Sequence, residues 1–240
     1  MIIEKLRFYE RPDMATWPFF LSPIKQIIND DLIFNNQVTF LVGENGSGKS
    51  TLIEAIAEVY GLDVRGGHGG RQYASNGPPK GILAEHLKLE LTVRGHKAKN
   101  RGAQGFFLRS ESALGMLEFM SDVGVPGYGN NSFRSISHGE GYIQVLASKF
   151  QSGGLLLLDE PEAALSFSSS LALIQELQKA IKNGSQIICA THSPIICAFP
   201  GAEILELSDE GIQKKEWSEL ALVQHWQRFM ALPDGYLNDL

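Results

Sequence analysis

The chain reads as an α/β protein with a mostly parallel central sheet covered by helices, and two patterns predict it. Runs of strand length that are apolar on both faces (37–42, 154–159 and 185–190) alternate with segments of helical periodicity (50–59, 141–150 and 167–182). An alternating apolar and polar run at each end of this series adds an antiparallel N-terminal and edge part. Composition sets the bounds. The 240 residues carry 21 basic and 27 acidic side chains, a net charge of −6, with 43% apolar and 20% charged residues. That is ordinary globular composition with room for one sizeable core, and we expect a single domain over 1–240. No run approaches the roughly 20 apolar residues of a membrane helix, and the first residues, Met1-Ile2-Ile3-Glu4-Lys5, lack a secretory apolar region. The expectation is a cytoplasmic protein without direct membrane insertion. The two cysteines, Cys189 and Cys197, exclude a disulfide framework and show no metal-ligand spacing.

In chain order, a strand is expected to end at Phe8-Tyr9, and Arg11-Pro12 and Trp17-Pro18 break it. Residues 37–42 form the next strand, ending at Gly43, and Leu52, Ile53, Ile56 and Val59 then mark a helix. Seven glycines and two prolines in 61–81 predict a mobile loop without a packed element. Its Arg65, Arg71 and Lys80 fit a disordered surface loop, the alternative being a loop that contacts a partner or DNA and orders on binding. Strands follow at 86–94 and 105–109, then a helix at 113–121 and a second Gly/Asn-rich loop to 131. A helical subregion at about 110–150 contains the helix 141–150. The apolar strand 154–159, the helix 167–182, the strand 185–190, a hairpin of 202–207 and 212–215, and a core helix at 218–231 complete the chain.

Residues 43–50, Gly43-Glu44-Asn45-Gly46-Ser47-Gly48-Lys49-Ser50, match the phosphate-loop pattern G-x-x-x-x-G-K-[ST] between a strand and a helix. Glycines let successive N–H groups turn toward phosphate oxygens, and the helix adds its positive end. Lys49 reaches the β and γ phosphates and the Ser50 hydroxyl can ligate Mg²⁺, with Thr51 next in the helix. The strand Leu155-Leu156-Leu157-Leu158 ends in Asp159-Glu160. Buried carboxylates are costly without a cation, which assigns Asp159 to Mg²⁺ and Glu160 to the attacking water. Twenty-two residues before Asp159, Ser137-His138-Gly139-Glu140 opens a helix and offers a second anion site. Thirty-three residues after it, His192 in Thr191-His192-Ser193-Pro194 stands at a strand's carboxyl end, within reach of a γ phosphate or water.

These four elements, in this order, resemble the ATP-binding-cassette superfamily: a Walker A loop at Gly43–Ser50, a signature at Ser137–Glu140, a Walker B strand ending in the catalytic Glu160, and the switch histidine His192. The tract Asp159-Glu160-Pro161-Glu162-Ala163-Ala164-Leu165 is most similar to the stand-alone ATPases grouped with SMC, RecF and OLD-type proteins. The resemblance implies a P-loop NTPase fold of the ABC-ATPase head type and ATP hydrolysis with Mg²⁺. It also implies an ATP-bound homodimer in which the Walker A loop of one chain faces Ser137, Gly139 and Glu140 of the other. Catalysis would fall to Glu160, His192 and Lys49. His138 replaces a glycine and Glu140 a glutamine of the usual signature, and Ala163-Ala164-Leu165-Ser166 lacks the usual D-loop aspartate. No clear Q-loop exists, so Arg109 to Glu111 are candidates for its role, and Phe8, Tyr9 and Trp17 are candidates for stacking on the base. Only 88 residues separate Lys49 from Ser137, too few for a long coiled-coil arm, and no heptads occur. The expected function is an ATP-hydrolysing switch coupled to an unidentified partner protein or nucleic acid. The alternatives are the nucleotide-binding subunit of a membrane transporter and a weakly hydrolysing ATP-dependent binding module.

Overall fold

The computed structural model describes residues 1–64, 66–68, 81–109, 138–151 and 153–237. Two sheets share one framework. The smaller is antiparallel, in the order β2–β1–β5, from β1 (Ile3–Phe8), β2 (Leu32–Ile33) and β5 (Leu87–Leu91). The larger has seven strands in the order β10–β9–β3–β8–β7–β6–β4, from β3 (Val38–Gly43), β4 (Gly67–His68), β6 (Gly105–Leu108), β7 (Leu155–Asp159), β8 (Gln186–Ala190), β9 (Glu203–Ser208) and β10 (Gly211–Lys214). Its five inner strands are parallel and both edge strands antiparallel. This is the fold class expected. Gln186 ties the sheets together: its Oε1 accepts from Ile2 N and Ile3 N at 2.6 and 2.7 Å, and its Nε2 donates to Ile3 O at 3.0 Å.

The inner strands are apolar throughout because both faces are covered, as the sequence pattern required. Leu155 and Leu157 face one core with Leu41, Ile188 and the helix α2 (Lys49–Tyr60), and Leu156 and Leu158 face the other. There they meet Phe40 and Cys189, the helix α5 (His138–Phe150) through Tyr142 and Leu146, and the helix α6 (Phe167–Lys182) through Leu173 and Leu177. Each fully buried leucine contributes roughly 2 kcal/mol, so β7 is firmly seated between layers. Register matters more than burial for function: Asp159 pairs with Ala190, and Ala190 with Leu41, so β7 and β8 end together and β3 runs two residues further to Gly43.

Several expectations change. The strand at 86–94 stops at Leu91, because the Thr92 side chain accepts from Gly95 N at 2.9 Å and caps a helix, α4 (Val93–Asn100), absent from the sequence reading. Another helix, α1 (Ser22–Asp30), follows Leu21 and buries Ile24 and Ile27. Within the loop 61–81, Gly67–His68 pairs with Phe107 and Phe106, so this stretch does contain a packed element, a two-residue edge strand. Arg65, Arg71, Lys80, the expected helix 113–121, the loop to 131 and Ser137 lie outside the described residues. The expected core helix at 218–231 resolves into a 3₁₀ turn, Trp217–Glu219, and the helix α8 (Ala221–Ala231), preceded by α3 (Ile82–His86) and α7 (Pro194–Cys197) in chain order. Val223 is buried, but Trp226 and Met230 are 49% and 74% exposed, so α8 docks by its first turn alone. No helix among the described residues is long and apolar enough to cross a membrane.

Candidate nucleotide site

Three loops leave the carboxyl ends of β3, β7 and β8 side by side, where an open parallel sheet binds ligands. The loop after β3 is built by backbone. Gly43 has φ +153° and a Cβ there would meet Leu207 O at 2.2 Å; Gly48 has φ +96° and turns the chain into α2. Lys49 is buried, and its Nζ donates to Gly43 O and Glu44 O at 2.8 Å each, with Ser47 Oγ at 3.5 Å. Burial lowers the Lys49 pKa, and the charges of Glu160, Asp159 and Glu162 oppose that.

The loop after β7 is built by side chains. Asp159 is 3% exposed, and its Oδ1 accepts from Ser50 Oγ at 2.9 Å. Burial pushes its carboxyl up to about 6; the Ser50 bond works against this and the charge of Glu160 adds to it. Glu160 takes a left-handed backbone, φ +47°, while its N donates to Ala190 O at 2.9 Å. A non-glycine residue in that region carries strain of order 1 kcal/mol, and here it presents a side chain that stays partly exposed. Glu160 Oε1 lies 3.6 Å from His192 Nε2, and both side chains are about one-third exposed. That Nε2 has no hydrogen-bond partner among the described residues. Burial first, then the charge of Lys49, lowers the His192 pKa, and Glu160 raises it. The imidazole is therefore biased toward its neutral form.

The structure thus brings Lys49, Ser50, Asp159, Glu160 and His192 together from three strand ends. Gly139 and Glu140 lie in the first turn of α5, with Glu140 exposed. Arg109, one candidate for the Q-loop role, pairs with Glu54 of α2 at 3.0 Å and faces the Asp159 side of the site. The sequence reading missed Glu162, whose Oε1 accepts from Thr191 Oγ1 and His192 N at 2.7 and 2.5 Å. Its only sequence signal was a third carboxylate within the acidic tract. The proposed stacking aromatics also change. Phe8 packs edge-on against Phe19, and the Tyr9 hydroxyl bonds to Glu85 O. Phe20, Trp226, Phe229 and Tyr236 instead line a cavity of about 1120 Å³ together with Gly43 to Ser47 and His192. They come together only in the folded chain, which periodicity could not reveal.

Comparison with known proteins agrees with this geometry. A family model described as "AAA domain, putative AbiEii toxin, Type IV TA system" matches residues 85–198, and one described as "AAA domain" matches 21–101. The chain is 27% identical over 205 residues to the hemin import ATP-binding protein HmuV of Photobacterium damselae subsp. damselae, covering 77% of this chain and 75% of that protein. It is 28% identical over 176 residues to the Fe(3+) ions import ATP-binding protein FbpC of Streptomyces coelicolor, covering 67% of this chain. The second match spans less than half, 48%, of its relative. The chain is thus similar to AAA-type domains and to the ATP-binding proteins of ABC-type systems. Solved structures of ATPase domains share this chain's fold. CbiO1 from Clostridium perfringens, part of the ABC transporter complex cbiONQ, gives a TM-score of 0.51 at 14% identity, covering 100% of this chain and 99% of the other. An SMC head bound to the C-winged helix domain of ScpA gives 0.50 at 13% identity, covering 89% and 97%.

Proposed function

We propose that this chain is an ATP-hydrolysing switch in which two copies engage head to tail around two ATP molecules. The loop Gly43–Ser50 of one copy and Ser137, Gly139 and Glu140 of the other would enclose each nucleotide, and hydrolysis would be coupled to a partner protein or nucleic acid. One observation carries the reading: Ser50 and Asp159 hydrogen-bond at 2.9 Å beside Glu160 and His192, which lie 3.6 Å apart at the mouth of a phosphate loop.

The residues fit Mg²⁺. Asp159 is a nearly buried carboxyl whose partner is the neutral Ser50 hydroxyl, and a hydroxyl with a carboxylate is the oxygen donor set this hard cation takes beside phosphates. Among the described residues no three His, Cys, Asp or Glu side chains form a cluster that could hold a metal, in keeping with a cation held mainly by nucleotide and water. Bound there by Ser50 and Asp159, the ion would neutralise charge on the β and γ phosphates.

The remaining chemistry rests on this chain's own groups. The N–H groups of the loop and Lys49 Nζ bind phosphate oxygens, and the long Ser47 contact of Lys49 is the one a phosphate oxygen displaces. Glu160 accepts the proton of the attacking water, for which partial exposure keeps it accessible. Neutral His192 donates or accepts one hydrogen bond to hold that water or the γ phosphate. The products are ADP and phosphate.

The transporter-subunit reading is kept because the matched relatives are named as import ATP-binding proteins. One measurement tests the homodimer on which the first reading rests. In Glu160→Gln, which keeps binding and removes the base, light scattering should show the mass double with ATP and Mg²⁺, and Ser137→Arg should abolish the doubling. A mass indifferent to ATP while nucleotide is bound would overturn the homodimeric switch and favour a subunit that closes only on its membrane partner, or a weakly hydrolysing module.

A further inference from the structure

We propose that Glu162 is a positioning residue for hydrolysis: its side chain ties the Thr191-His192 turn to the loop after β7 and so sets where His192 stands relative to Glu160. This rests on the ATPase reading above. The sheet itself cannot do this. Glu160 N to Ala190 O, at 2.9 Å, joins the ends of β7 and β8, and Thr191 N to Leu41 O, at 3.1 Å, holds β8 to β3. Beyond Thr191 the chain leaves the ladder, and strand pairing no longer locates the imidazole.

Glu162 takes over at that point. Its Oε1 accepts from both Thr191 Oγ1 at 2.7 Å and His192 N at 2.5 Å, a two-point grip across 30 residues of sequence. The bonds continue outward, since Ser193 N donates to Thr191 Oγ1 at 3.0 Å and Ile196 N donates to Ser193 Oγ at 3.3 Å, which caps α7. One side chain therefore anchors a hydrogen-bonded series running through the histidine turn into the next helix. The loop that presents it is itself rigid. Pro161 fixes φ between the two glutamates, and Ala163 N to Glu160 O (3.2 Å) and Leu165 N to Glu162 O (2.8 Å) close the turn.

The other carboxyl oxygen indicates that position, rather than stability, is served. Glu162 Oε2 is buried without a hydrogen-bond partner among the described residues, a cost that an apolar side chain would avoid. Burial raises the Glu162 pKa, against the Thr191 bond that lowers it. The grip itself needs only an oxygen acceptor at the Oε1 position, which a glutamine of the same length also offers. The Tyr142 phenol of α5 is pushed up by burial first and then by the Glu162 charge.

Three variants test the proposal. Glu162→Ala should lower kcat about 30-fold while nucleotide Kd and KM stay within about twofold, because a small misplacement of a catalytic group costs turnover rather than binding. Glu162→Gln, which keeps the Oε1 acceptor, should restore kcat to within about threefold. Glu162→Asp keeps the charge but not the reach, and should resemble Glu162→Ala. Hydrogen exchange of the His192 amide, followed without nucleotide, should be slow in the wild type and Glu162→Gln and at least about tenfold faster in Glu162→Ala and Glu162→Asp. Loss of nucleotide affinity in step with turnover, a Glu162→Gln as slow as Glu162→Ala, or unchanged His192 exchange in Glu162→Ala would each overturn it. A wild-type chain without turnover would overturn the hydrolytic reading instead, and the amide exchange, which needs no hydrolysis, tells that failure from failure of the clamp.

Discussion

The loops after β3 and β7 leave neighbouring strand ends and serve one site, yet they are built in opposite ways. After β3 the chain needs backbone N–H groups facing a ligand, so glycines occupy the turning positions, with Gly43 too close to Leu207 O for any side chain. After β7 the chain needs side chains, so it keeps Asp159, Glu160 and Glu162 and accepts a left-handed backbone at Glu160. Where function uses the main chain, conformational freedom comes from composition. Where it uses side chains, the surrounding sheet must hold a strained residue in place, here through Glu160 N to Ala190 O.

The contrast can be broken first in the β3 loop. Gly43→Ala places a Cβ 2.2 Å from Leu207 O at φ +153°, against backbone that cannot yield cheaply. It should lose about 2–4 kcal/mol of stability by urea denaturation, with nucleotide binding lost as well. An unchanged urea midpoint would show that the β9 backbone is softer than its place in the sheet suggests.

The β7 loop predicts a gain instead. Folded Asp159 keeps its proton up to about pH 6, whereas the unfolded carboxyl releases it near about pH 4. Between these values the folded chain binds more protons, so its stability falls as pH rises through the window and stays lowered above it. Asp159→Asn should therefore stabilise the nucleotide-free chain by about 1–3 kcal/mol at pH 7.5 and by almost nothing at pH 4, while removing stabilisation by ATP with Mg²⁺. A pH-independent gain would point to packing rather than charge.

The smallest effect sharpens the comparison. Glu160→Gly imports the first loop's solution into the second. It relieves the left-handed residue at an entropic cost, for a net gain of about 0.5–1 kcal/mol in thermal stability and no turnover. Loss of stability would mean that the Glu160 side chain contributes more than its backbone costs.

Much of this was legible in one dimension, for identifiable reasons. Gly43–Ser50, the run Leu155–Asp159 and the apolar run before Thr191 are local patterns, because a phosphate loop and a doubly covered strand each demand a composition over consecutive residues. The helix α6 is legible because its apolar stripe is buried along its length, at Leu173, Leu177 and Ala180. The helix α8 carries a similar stripe, yet Trp226 and Met230 remain exposed. Periodicity states which residues share a face; it says nothing of what covers that face. Likewise α4 was hidden because Val93 continued the alternation of β5, and only the Thr92 cap ended the strand.

By itself, then, the sequence determined the layered α/β class, the order of strands and helices in its second half, and the residue types the site needs. The tertiary structure alone decided which of those residues meet. Ser50 and Asp159 are 109 positions apart, and Glu162 and His192 are 30 apart. Their contacts follow from the register that sets the carboxyl ends of β3, β7 and β8 next to one another. Register is a property of paired strands, set by two packed faces acting together, and no single segment of the chain encodes it.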